Sequence, residues 1–232
     1  MISSVIKAAA LDPNQIASRV KTAKFAAEVF DTVGKSLQEM GHSAGSDTEQ
    51  SPFGHGDDAT VAVSMLLGIG SQIISASCDL FTDGRYYAAA ALVRQIVEVE
   101  YLAWAFETND KDAAKWLRST KDERMNFFTP AKLRKAAGKK FRSVDYGHHC
   151  ELGGHPVPTG WTLLSGNEAT AQLLLSDCLG HAGRIWDHLN GWAESQPAVG
   201  SAITSRTPEM LKAFTHWKRG DMLTRLPPPP EA

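Results

Sequence analysis

Between Ala59 and Glu107 the chain carries two long apolar stretches that are interrupted at one place, Asp83-Gly84. Strands in globular proteins rarely exceed about ten residues, so stretches of this length read as helices, over 59–82 and 85–107. A link this short forces the two into an antiparallel hairpin. The second stretch, RYYAAAALVRQIVEVEYLAWAFE, is apolar around most of its circumference and is expected at the centre of the fold. The fold class follows: all-α, a helical bundle built on a long central antiparallel hairpin.

The flanking sequence extends the helical reading. Asp12-Pro13-Asn14-Gln15 has the cap, the proline at the first helical position and the following Gln of a helix start. From there to about Met40, Ile16, Val20, Ala23, Ala27 and Phe30 recur at helical spacing. Residues 41–58, rich in Gly, Ser, Asp and His, read as a loop. Short helices follow: 111–118 capped by Asp110, another opened by Thr120-x-x-Glu123, and 130–138 opened by Thr129-Pro130. Weak periodicity and seven glycines and prolines make 139–167 a long Gly/Pro/His-rich loop. The last long helix spans 168–194, and Thr207-Pro208-Glu209 opens a short one to Lys218. One helical domain, 1–226, thus precedes an extended Pro-rich tail, 227–232.

Residues 59–78 carry no charge and are long enough to span a bilayer. Ser64, Ser71, Gln72, Ser75, Ser77 and two glycines interrupt them, so a buried core helix is the simpler reading, with no membrane partner. The opening MISSVIKAAALDPNQ lacks the apolar core of a secretory signal, and the three cysteines include no CxxC pair. Reduced thiols in the cytoplasm are the expectation. The net charge is −2, but residues 111–142 hold eleven Lys/Arg and three Asp/Glu, so this stretch carries +8 and the rest −10. Lysines that merely solvate helix faces would explain this, and so would a surface for RNA or another polyanion. Trp192, Trp217 and the Pro-rich tail, if exposed, would suit a partner or a homo-oligomer.

Three constellations carry polar chemistry. Arg94 and Glu98 share one face of the central helix, with Tyr87 and Tyr101 close to the same stripe. Charges on so apolar a helix are either paired structurally or line a polar pocket. Asp177, His181, Arg184 and His188 form one stripe on the last long helix. A solvated face is the plain reading. In the alternative, Asp177, His181 and His188 are metal candidates, or the aspartate orients an imidazole. The segment from Arg142 to Pro156 contains His148, His149, Cys150, Glu151 and His155, ligand types zinc accepts, at a spacing that fits no zinc module. His149, His155 and Tyr101 are candidate ligand-binding residues. No GxxxxGK[ST], strand-associated GxGxxG or G-x-S-x-G is present, which argues against P-loop, Rossmann and α/β-hydrolase chemistry. No cofactor is indicated by motif.

Arg142 and His148 are separated by five residues. This resembles the R-x4-6-H motif of the HEPN family of helical ribonucleases and defence proteins. The resemblance implies a metal-independent ribonuclease, of phage defence or a toxin–antitoxin pair, with His148 as acid/base and Arg142 at the phosphate. Arg94 to Glu98 in LVRQIVEVEYLAWAF resembles the R-x3-E helix of uncharacterised bacterial all-helical proteins, a likeness that spans about 60–190 and implies a fold and no activity. Three functions stay open: a helical protein whose Arg94/Glu98 centre and loop histidines meet in a catalytic pocket, a non-enzymatic interaction or dimerisation module with a structural Arg94–Glu98 pair, and a metal-binding helical protein that uses Asp177, His181, His188 and the loop histidines.

Overall fold

A computed structural model describes residues 4–43, 56–109 and 111–226. Among these are twelve α-helices and no strand. Four are long: α2 (Pro13–Ser43), α3 (Asp58–Thr82), α4 (Tyr86–Thr108) and α10 (Glu168–Glu194), and α1 (Ser4–Ala10) precedes them. The expected cap for 111–118 and the Pro-rich tail lie outside the described residues, as does most of the expected 41–58 loop.

Local chemistry explains the boundaries. The Asp12 carboxylate accepts from the amides of Asn14 and Gln15 at the start of α2. Asp57 does the same for Ala59 at the start of α3. The α3–α4 turn places Gly84 at φ +75°, a conformation that favours glycine. Antiparallel pairing continues back to α2: Ser71 of α3 donates to the Ala27 carbonyl, and Gly34 and Gly41 of α2 pack against Leu67 and Val61. Among the described residues one helix, α3, is long and apolar enough to cross a membrane, and it is mostly buried between its neighbours. Cys78, Cys150 and Cys178 form no disulfide.

The fourth helix runs differently. His181 meets Glu100 and His188 meets Glu107, the same register shift for two pairs seven residues apart, so α10 runs parallel to α4. A parallel pair needs a connection that travels back along the bundle. Residues 109–167 supply it. They form α5 (Lys111–Arg118), α6 (Lys121–Phe127), α7 (Pro130–Ala136), α8 (Ser143–His149), a π-turn at Cys150–Gly154, a 3-10 turn at Pro158–Gly160 and α9 (Trp161–Leu164). Their contacts step down α4 in reverse: Phe141 on Tyr101 and Trp104, Tyr146 on Arg94, Gly153 on Ala90, Gly160 on Tyr87.

The expected long loop at 139–167 is therefore corrected to a largely helical return segment. Glycine was read there as a breaker. At 153, 154 and 160 it instead lets backbone approach α4: a Cβ on Gly153 would lie 2.6 Å from the Ala91 nitrogen, and one on Gly154 2.5 Å from Arg94 Cδ. The chain closes with α11 (Ser201–Thr204), α12 (Thr207–Gly220) and a 3-10 turn at Met222–Arg225. Trp192 and Trp217, read as exposed, are core residues, because their faces of α10 and α12 turn inward.

Candidate metal centre

The return connection ends α8 against α10, and there His149 meets two residues of the predicted α10 stripe. Its Nε2 lies 3.1 Å from Asp177 Oδ2, while His181 Nε2 lies 3.6 Å from Asp177 Oδ1. Ligand atoms of His149, Asp177 and His181 all fall within 4.8 Å of one another. A tetrahedral site with bonds of about 2.0 Å has ligand–ligand edges of roughly 3.3 Å; the two Asp177 contacts, each through a different carboxylate oxygen, are near that length. The two imidazoles stand edge to face, their ring centroids 5.3 Å apart at an interplanar angle of 70°.

Behind this group sits Glu100 of α4. It is almost fully buried, its Oε2 is 2.5 Å from His181 Nδ1, and its Oε1 accepts from Arg184 Nε at 2.8 Å. Burial alone would raise the Glu100 carboxyl, but His181 and Arg184 hold it down to about 2, so it is ionised. Arg184 Nη2 also lies 2.7 Å from His181 Nδ1. That nitrogen serves one partner, and the buried carboxylate decides for a proton on Nδ1 directed at Glu100. His181 Nε2 is then the nitrogen turned toward Asp177. This carboxylate–histidine order is the one that orients imidazole ligands of metal ions.

Charge in the group is mutually supported. Its surroundings would raise the Asp177 carboxyl, but His181 and His149 hold it well below the usual carboxylate range. Burial would lower His181, yet Asp177 and Glu100 raise it overall, against Arg184. Asp177 is 45% exposed and Arg184 49%, so one rim of the site faces solvent while the histidines are buried.

The other predicted residues fall elsewhere. Arg94 Nη1 and Glu98 Oε1 pair at 2.6 Å, both partly exposed, and the Tyr146 hydroxyl bridges them at 3.0 and 2.8 Å. This triad ties α8 to α4 one turn before His149. Tyr101 is buried against Phe141 and Tyr146, and burial pushes its hydroxyl up to about 12. Arg142 and Asp145 form a two-point pair at 2.8 and 3.0 Å. His148 and His155 are exposed, and it is the His155 carbonyl that accepts from Tyr87.

Two readings of the α10 stripe are corrected. His181 and His188 are buried where a solvated face was the plain expectation, because Glu100 and Glu107 on α4 answer them. His188 is also not with Asp177 and His181. Two helical turns further on, about 10 Å along the axis, it is 2.5 Å from Glu107, and His149 takes its place. The sequence reading missed Glu100 and Tyr146. A signal for Glu100 existed: Glu100 and Glu107 repeat the seven-residue spacing of His181 and His188. Comparison with protein-family models, with curated proteins and with solved structures gives no match for this chain.

Proposed function

We propose that this chain is a metal-binding helical protein that holds a divalent first-row ion through His149, Asp177 and His181. The observation that carries this is the meeting of three ligand groups from two helices, with Glu100 fixing the tautomer of His181 from behind. When bound, a zinc-like ion would supply Lewis acidity at this site, with His149, Asp177 and His181 as the three residues that would hold it. Asp177 and Arg184 form the solvent-facing rim of the site, where the Arg184 guanidinium would favour an anionic substrate. The Arg94–Glu98–Tyr146 triad acts in this reading as the positioning contact that seats α8.

The test is metal binding by protein made without a histidine tag. Zinc should bind near one equivalent, and cobalt should give a visible spectrum of a histidine–carboxylate site. His149→Ala and His181→Ala should each weaken zinc by at least about tenfold. Uptake below about a tenth of an equivalent, or zinc affinity untouched by both substitutions, sinks the proposal. The metal-independent ribonuclease reading ranks second. It would place chemistry on exposed His148 and on Arg142, whose guanidinium is already held by Asp145. Chelator-resistant RNA cleavage abolished by His148→Ala would reverse the order.

A further inference from the structure

The basic stretch lies mainly on α5, α6, α7 and the turn after them, and none of its residues belongs to the His149–Asp177–His181 group. Nine of the eleven Lys/Arg of residues 111–142 are exposed on α5, α6, α7 and the turn after them. None of the stretch's seven lysines forms an ion pair among the described residues. Arg118 is tied to Asp58, and Arg124 donates to the Ser119 carbonyl, so the uncommitted charge is lysine. Two open clefts meet on this face. One, about 380 Å³, is lined by Lys111, Lys115, Arg118 and Glu123. The other, about 320 Å³, is walled by Trp104, Phe127 and Lys115. Lys115 borders both, its ammonium 3.6 Å from the centroid of the Phe127 ring. That ring is 50% exposed at the end of α6, where nothing in the core requires it.

We propose that this face binds single-stranded nucleic acid, with phosphates over the Lys111–Arg118 cleft and a base on Phe127. A row of unpaired lysines neutralises a phosphate backbone, and an exposed aromatic beside it accepts any base by stacking. A duplex hides its base faces and would gain nothing from Phe127. It also asks for a helix or ribbon that fits a groove, whereas α5, α6 and α7 are each two turns long. Glu123 in the first cleft is engaged by the Thr120 amide and hydroxyl, which holds its charge toward the helix start.

The test is anisotropy of labelled oligouridylate and oligothymidylate of about 12 nucleotides, and of a duplex of the same length, with the full chain. Both single strands should bind, the tighter one naming RNA or DNA. Log affinity against log salt should have a slope of about −3, the value for four or five phosphates on a single strand. Lys111→Glu with Lys121→Glu should cost at least about tenfold. Phe127→Ala should cost roughly five- to hundredfold on single strands and nothing on the duplex. Zinc uptake should be unchanged in these variants, which separates this face from the metal centre. No binding at about 50 mM salt overturns the proposal. So does equal binding of duplex and of inorganic polyphosphate with no effect of Phe127→Ala, which would make the face a general polyanion surface.

Discussion

His181 shows how much one side chain's role depends on what stands at each end of it. One ring nitrogen faces a buried carboxylate and the other faces a rim carboxylate, so the ring can carry a proton or give Nε2 to a metal without turning. Glu100 decides which, and it acts through His181 rather than on a bound ion. Glu100→Gln removes the charge and keeps the shape. Zinc affinity should fall by about 10- to 100-fold, the usual effect of losing an outer carboxylate, while circular dichroism stays helical. Cobalt spectra should report the loosened imidazole, a readout that a purely structural Glu100 would not move. His188→Ala is the matched control: its partner is Glu107, so zinc affinity should stay within about twofold of the parent. A large loss there would mean that the two histidine–glutamate pairs act together.

At the level of elements, the centre depends on how closely the 143–154 segment lies on α4. Gly153→Ala would drive a methyl into the Ala90–Ala91 backbone, where neither side is a flexible side-chain end. The segment must lift, and His149 lifts with it. Zinc affinity should drop at least about tenfold and stability by about 1–3 kcal/mol, measured by isothermal titration and urea unfolding. Gly147→Ala, with open space around it, should leave the site intact and slightly favour α8. The hairpin of α3 and α4 was legible in the sequence because apolar length and one Asp-Gly break leave little choice. Asp177 and His181 were legible as neighbours because four residues is one helical turn. Which loop histidine would join them was not, because the place of His149 depends on α4 and α10 running parallel, which no local pattern encodes. Glu100 was passed over for Glu98 for a related reason: both interrupt the same apolar helix, and only the packing of α10 shows which one is sealed.

Across the whole molecule, the two ends of the described chain are joined by one buried cation. Arg19 of α2 is fully buried and reaches Asp221 through Nε at 2.6 Å and Nη2 at 2.9 Å, with the Ala10 carbonyl and Gln172 also accepting from it. These contacts link α1, α2, α10 and the segment after α12. Burial would raise the Asp221 carboxyl, but Arg19, the Leu223 amide and the Trp217 indole lower it overall. A folded-state value below 3.8 means that the stabilisation is fully present above that pH and is lost as pH falls through the lowered value. Asp221→Asn keeps the acceptor for Leu223 and deletes the charge, leaving Arg19 buried without a counterion. Urea unfolding near neutral pH should show a loss of about 3 kcal/mol or more. The gap between parent and variant should narrow as pH falls from 3.8 through the lowered value, where the parent's own carboxyl takes up its proton. Arg19→Met combined with Asp221→Asn should be less destabilised than the two single effects added, because the double variant strands no charge. A gap that stays constant down to the acid limit would instead assign the cost to lost packing at Asp221 rather than to the ion pair.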